Sequence, residues 1–440
     1  MTTDILAEIR GLGPVQCGAE AAKHFAFADG YRNLNHGSYG TYPVEVRSVL
    51  RRYQEKVEAA PDTFVRYEYR THLLDRSRKA IADYMRAPVD TCVLVPNTST
   101  GIDTILRNLT FGPADVIVCF STIYGAFRNT VQYLTETTTV SVKEVKCTYP
   151  TSDDYICDAF EAALKVIAAE GKVAKVALFD TIVSVPGVCM PFEQLTKICR
   201  THKVLSCIDG AHGVGHIPLR LQELDPDFFV SNCHKWLYVP RSCAVLYVPI
   251  RNQHLLRATL PTGFGFCRKL ESHQNSAFNN FVENFASLGT LDDTPYLCIP
   301  AALEWREAIV WDEKSGEEAI RGYINSLARE GGQAVADILG TTVLECDPAA
   351  LGVCCMTNVR LPLDLVRLIA EDTKRSDDIC HWIMRAMSMR HQIAVYAYEH
   401  AGVLWVRLSA QIYLGLQDFE IAGEVLKELC VEVAYCKWVK

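Results

Sequence analysis

Between residues 92 and 248 the chain keeps a rhythm that few folds can accept. Strand-sized apolar runs fall at 92–95, 116–119, 140–145, 173–179, 205–208, 228–230 and 243–248. Segments with helical periodicity lie between many of them, at 101–109, 126–134, 156–169 and 192–202. Strands separated by helices build βαβ units, hence a mostly parallel sheet in an α/β protein. The runs are apolar at most positions, which suits strands covered on both faces. The expectation is a seven-stranded, mostly parallel sheet between helices.

The rhythm has two borders. Helical patterns at 44–59 and 73–85 precede it. After about residue 300 the order changes to a long helical stretch at 301–309 and 317–339, strand-like 343–344 and 355–361, and a helix at 376–389. Strands at 393–396 and 404–408 and a helix at 418–433 follow, the pattern of a smaller α+β unit. Three parts result: an N-terminal segment over 1–40, a large domain over 41–300 and a small C-terminal domain over 301–440.

Composition narrows the function. With 440 residues, 49% of them hydrophobic, the chain can bury a large core. Its 44 basic and 52 acidic residues leave a net charge of −8, which argues against a nucleic-acid or anionic-membrane partner. No apolar run is long enough to span a bilayer. Met1 to Leu6 lacks the basic and apolar regions of a signal peptide. The 18 cysteines are scattered, several within apolar runs (Cys92, Cys119, Cys207, Cys243), and read as reduced, buried thiols. A cytoplasmic protein acting on a small molecule is expected.

In an open parallel sheet, ligands bind beyond the carboxyl ends of the strands. Four runs end in polar turns: Asp209-Gly210-Ala211-His212, Ser231-Asn232-Cys233-His234-Lys235-Trp236, Asn97-Thr98-Ser99-Thr100-Gly101 and Ser121-Thr122-Ile123-Tyr124. Together they match the needs of pyridoxal 5′-phosphate (PLP). An acid must pair with the pyridinium nitrogen so that the ring can act as an electron sink, and Asp209 is the candidate. A lysine of lowered pKa must form the Schiff base, and Lys235 sits in an aromatic, otherwise uncharged neighbourhood. Ser99 and Thr100, opening a helix, offer hydroxyls and N–H groups to a phosphate. Tyr124 can cover a face of the ring.

Each feature has a plainer explanation when taken singly. Asp after a buried strand is often a helix cap. Asn-Thr-Ser-Thr-Gly is an ordinary entry into a helix. His212, His216 and His234 can be core or surface histidines, or zinc ligands. The glycine-rich stretch 210–215 lacks a dinucleotide fingerprint.

The ordered set is what separates these readings. The acid and the lysine stand 26 residues apart, with the Asn-Thr-Ser-Thr-Gly turn upstream. Over nearly the whole chain this resembles the class V aminotransferase-like group of PLP fold type I enzymes. Within that group it is similar to the fungal isopenicillin N epimerase-like branch, through Arg32–Ser38, Ser231–Arg241, Arg251–His254 and Arg407–Gln411. That branch includes the ergothioneine-pathway lyase that cleaves hercynylcysteine sulfoxide, and a loline-pathway type linked to Mannich cyclisation.

The resemblance implies residue roles. Lys235 binds PLP and moves the α-proton; Asp209 pairs with the ring nitrogen; His212 and Ser184 lie near the ring hydroxyl. Ser99, Thr100, Asn232 and His234 hold the phosphate. Thr290 reaches the phosphate of the other subunit, so the active unit is a homodimer with sites at its interface. Tyr124 stacks on the cofactor and serves as an acid. Arg407 clamps the substrate carboxylate, and Asn35 and His36 line the substrate entrance. No metal is implied. The implied reaction is C–S cleavage of a cysteine-sulfoxide conjugate to pyruvate and ammonia, with Mannich cyclisation or epimerisation as the alternative. The Asp-Gly-Ala-His form is shared with the loline type and leaves that choice open. A cysteine desulfurase needs a nucleophilic cysteine, for which Cys267 and Cys298 are the nearest by position. The aromatic segment from Phe264 to Phe285 is expected to shape substrate choice, through Phe281 and Phe285.

Overall fold

The computed structural model describes residues 5–263, 266, 280–344, 354–369 and 374–435. All seven apolar runs form strands of one sheet: β1 (Cys92–Val95), β2 (Asp115–Phe120), β3 (Ser141–Val145), β4 (Val173–Asp180), β5 (Leu205–Asp209), β6 (Phe228–Asn232) and β7 (Ala244–Tyr247). Their order is β1-β7-β6-β5-β4-β2-β3. Only β7 runs against its neighbours; the remaining pairs are parallel. Alternate side chains serve two cores. Val93, Val95, Ile117 and Leu178 fill one face, while Cys92, Leu94, Val118 and Phe179 fill the other. This is the period of two that a doubly covered strand requires. At the edge, β3 is half-solvated and carries Lys143, which discourages pairing with another sheet.

Helices α1 (Val44–Ala59) and α2 (Leu74–Tyr84) precede the sheet, joined by a π-helical stretch, Phe64–Leu73. Helices α3 (Thr98–Asn108), α4 (Gly125–Thr137), α5 (Asp153–Ala169) and α6 (Phe192–His202) connect its strands. Each starts within a few residues of the expected position. Caps account for the differences: Asn97 accepts from Thr100 N (2.8 Å) and starts α3 three residues early.

Helix α7 (Ile299–Glu307) opens the C-terminal part of the chain. The long helical stretch expected after it is broken. Ile309–Trp311 and Lys314–Ser315 form a hairpin whose two turn residues, Asp312 (φ 48°) and Glu313 (φ 61°), are left-handed. Val15 and Gln16 pair in parallel with Ile309 and Val310. Helix α8 (Gly316–Leu339) follows, with β8 (Met356–Arg360), α9 (Lys374–His391), β9 (Tyr396–His400), β10 (Val403–Ser409) and α10 (Leu416–Ala434). Strand order β8-β10-β9 is antiparallel throughout. The expected strand at 393–396 is split, because Ile393 and Ala394 pair instead with Arg32 and Asn33. The N-terminal segment is thus sewn to the C-terminal part by two strand pairings.

Candidate active site

Parallel neighbours end at the same edge, so β4, β5 and β6 deliver Asp180, Asp209 and Asn232 side by side. After β6 the chain makes a one-turn helix, Cys233–Trp236, which presents Lys235. After β5 it turns at Gly210, where a Cβ would lie 2.4 Å from the Phe229 ring, so only glycine fits. Between these ends lies a cavity of about 160 Å³, lined by Asp209, His212, Lys235, Asn232, His234, Thr98, Ser99, Tyr124 and Ser184 among others.

The groups there titrate abnormally. Burial pushes Lys235 down to about 8, against the pull of Asp209 and with the push of Arg407. An amine near 8 is partly free at neutral pH, as a Schiff-base lysine must be. Burial raises Asp209, which accepts from Ala211 N (2.9 Å). His212 lies 3.3 Å from Lys235 Nζ through its Nε2. Its Nδ1 accepts from Trp236 Nε1 at 3.1 Å. Indole only donates, and burial holds His212 well below its ordinary pKa. The ring is therefore neutral, with its hydrogen on Nε2, facing the cavity.

At the start of α3, Thr98 N donates to Asn232 Oδ1 (2.9 Å). Thr100 spends both its N–H and its hydroxyl on Asn97 Oδ1, at 2.8 and 3.0 Å, and does not line the cavity. Thr98 does, and its buried hydroxyl has no partner. The expected hydroxyl pair at 99 and 100 is therefore 98 and 99. The signal was present in the cap: with Asn97 as N-cap, the first helical residues are Thr98 and Ser99. His234 donates from Nδ1 to Cys243 O (2.9 Å), which leaves Nε2 for the cavity, and burial lowers it to about 4.

Arg407, on β10, is 1% exposed. It donates only to neutral acceptors: Ser184 O (2.5 Å) and Oγ (3.4 Å), Asn35 Oδ1 (2.9 Å) and Ser38 Oγ (3.1 Å). Its Nε has no partner, and among the described residues no carboxylate pairs with it. Ser38 and Ser184 line the cavity, so the guanidinium stands one hydrogen bond behind the wall.

Two expectations fail on geometry. His36 does not line an entrance; it is fully buried, donating from Nε2 to Lys235 O (2.6 Å) and accepting from the Tyr413 hydroxyl at Nδ1 (2.9 Å). Thr290, expected to serve the other subunit's site, is exposed on a separate cleft of about 840 Å³ with Arg70 and Asp292. Phe281 and Phe285 pack edge to face at 5.3 Å inside the second core and belong to packing rather than to the cavity. Residues 264, 265 and 267–279 of their segment, Cys267 among them, lie outside the described residues. Cys298 is buried, donating to Thr294 O (3.5 Å). Of the three histidines considered for zinc, His216 instead accepts from Cys355 N (2.9 Å). One residue was missed altogether: Asp180, paired in register with Asp209.

Residues 41–367 match the family model described as aminotransferase class-V. The chain belongs to the class V aminotransferase family. It is 41% identical over 429 residues to the L-cysteine desulfhydrase-like protein lolT1 of Epichloe uncinata, covering 92% of this chain and 93% of that one. It is 27% identical to the hercynylcysteine sulfoxide lyase of Schizosaccharomyces pombe, over 94% and 98% of the two chains. The cysteine desulfurase of Thermococcus onnurineus superposes with a TM-score of 0.72 at 18% identity, over 96% of this chain and 100% of that one, and shares the fold, PLP fold type I.

This class V enzyme is PLP-dependent, and its own residues fit the cofactor. An acid, a lysine of lowered pKa and a neutral imidazole converge on one cavity. An unpartnered buried hydroxyl marks the helix start where a phosphate is to be held. Among the described residues no helix is long and apolar enough to cross a membrane.

Proposed function

We propose that this enzyme is a C–S lyase that cleaves a cysteine-sulfoxide conjugate of the hercynylcysteine sulfoxide type to pyruvate and ammonia. Tyr124 carries the reading. It lines the cavity, is about half exposed, and is held above its ordinary pKa by partial burial, so it stays protonated and can give a proton to a leaving group. Among the described residues no cysteine lines the cavity, which favours elimination over transfer of sulfur to a protein thiol.

PLP, bound through Lys235, supplies an electron sink that acidifies the substrate α-hydrogen. Asp209 would hold the ring nitrogen, Thr98, Ser99 and His234 the phosphate, and His212, with its hydrogen on Nε2, the ring hydroxyl. Arg407, with Asn35 and Ser38 steadying it, takes the substrate carboxylate in place of a neutral acceptor. Lys235, partly free as an amine, would take the substrate α-proton. Tyr124 protonates the departing sulfenate oxygen as the C–S bond breaks, and hydrolysis of the remaining enamine gives pyruvate and ammonia.

The reading extends to a homodimer, in which the exposed Thr290 of one copy reaches the other's phosphate, and to the cytoplasm, where the free thiols stay reduced. Mixing Lys235→Ala and Thr290→Ala subunits tests the dimer, since activity restored in the mixture requires a shared site.

A second reading rests on the 41% identity to the loline-type relative. There the α-carbon forms a bond within its own molecule or takes a proton back on the other face. The deciding assay is pyruvate release from hercynylcysteine sulfoxide, with L-cysteine in parallel and Lys235→Ala as the blank. Rapid Lys235-dependent pyruvate supports the lyase. Exchange of the substrate α-hydrogen in D2O without pyruvate moves the assignment to cyclase or epimerase.

A further inference from the structure

Asp180 and Asp209 end adjacent parallel strands and are partners in register. Each is 4% exposed, and their carboxyl groups share a hydrogen bond. Asp209 lines the cavity and Asp180 does not. The charged group facing both is Lys235, on the turn after β6; His212, beyond it, is neutral. One nearby cation does not support two buried carboxylates, so the pair keeps one proton.

We propose that Asp180 is a positioning residue for cofactor chemistry, a carboxylic acid that keeps its proton and donates it in a hydrogen bond to Asp209. The division of roles follows from the surroundings. Asp209 also accepts from Ala211 N, which favours its ionised form. Asp180 has burial and its neighbour against ionisation and is pushed well above the usual carboxylate range. The bond from Asp180 draws charge from Asp209 and makes it a weaker base. Alone and this deeply buried, Asp209 would compete with the PLP nitrogen for the proton between them. With Asp180 in place that proton stays on the ring, and the single negative charge stays on Asp209. The proposal rests on PLP as cofactor and not on the choice of lyase, cyclase or epimerase.

Two variants separate donation from mere packing. Asp180→Asn keeps a donor but cannot ionise; Asp180→Val fills similar space and donates nothing. In the cofactor-free protein, infrared spectra at neutral pH are expected to show a protonated-carboxyl stretch that Asp180→Asn removes. In protein loaded with PLP labelled with ¹⁵N in the ring, solid-state ¹⁵N shifts should report a protonated nitrogen in wild type and Asp180→Asn, moving toward the unprotonated value in Asp180→Val. Substrate α-hydrogen exchange should fall about ten- to a hundredfold in Asp180→Val and little in Asp180→Asn, the worth of one hydrogen bond to a charged group. Equal ¹⁵N shifts in all three proteins overturn the proposal. If Asp180→Val does not fold, the infrared comparison decides, and an unchanged spectrum in Asp180→Asn overturns it.

Discussion

Two arginines, Arg306 and Arg407, are each 1% exposed and each stack over a tyrosine ring at 5.0 Å, Tyr238 and Tyr396 respectively. Their company differs. Arg306 forms a two-armed pair with Glu317 (2.5 and 2.9 Å) and donates to the carbonyls of Trp236 (2.7 Å) and Gly215 (2.9 Å). Glu317 drives its pKa further up. Arg407 has neutral acceptors alone, and burial drives its pKa down. A buried cation with a carboxylate is part of the scaffold; here it braces the end of the Lys235 turn. A buried cation without one costs stability, and a fold that keeps it beside a cavity is poised for an anion from outside.

The largest effect should come from breaking the satisfied arginine. Arg306→Met strands Glu317 and two carbonyls and should lower stability by about 3–5 kcal/mol in denaturant melts. Replacing Glu317 with leucine as well should recover part of the loss; no recovery would mean that the pair is not what Arg306 holds. Arg407→Met should do the opposite. Its melting midpoint should hold or rise, while kcat/KM for substrates with an α-carboxylate falls about 10- to 100-fold, from the loss of ~1.5–3 kcal/mol. An amine analogue lacking the carboxylate should be processed alike by both proteins, and an equal loss on that analogue would sink the clamp.

Ser38→Ala removes one of the bonds that hold Arg407, worth about 0.5–1.5 kcal/mol. It should raise KM severalfold and leave kcat and thermal stability near wild type. The smallest effect is electrostatic. Lys235 reacts as the free amine, so PLP capture by the cofactor-free protein should speed up as pH rises through about 8 and level off above. Arg407 contributes to that low value, so Arg407→Met should move the midpoint upward. An unmoved midpoint would mean that burial alone sets the lysine.

Which of these features could be read without coordinates depends on the distance over which each is decided. The seven strands were legible because double burial writes itself into every residue of a run. Lys235, Asp209 and Tyr124 were legible because each ends a strand or lies within four residues of its end. Asp180 also ends a strand, but its meaning lies in the register between β4 and β5, which the order of residues does not state. Thr98 was missed by one position, since the helix start is decided by which Asn or Ser takes the cap. The turn at Asp312-Glu313 was hidden because neither residue announces a left-handed backbone as glycine does. His36 reads from the sequence as lining an entrance, but the direction of its ring depends on Tyr413, 377 residues away.

The bond between Asn35 and Arg407 joins positions 372 residues apart. During synthesis, then, the ribosome delivers the lysine long before the arginine that stands behind the cavity wall. A nascent chain that ends soon after residue 235 still lacks β7, the strand between β1 and β6, and its lysine is not yet buried; β10, which closes on a segment made at the very start, comes later still. Contacts so distant form late and slowly. A message truncated before residue 403 would therefore leave both the N-terminal segment and the C-terminal sheet without the strand that each is bonded to.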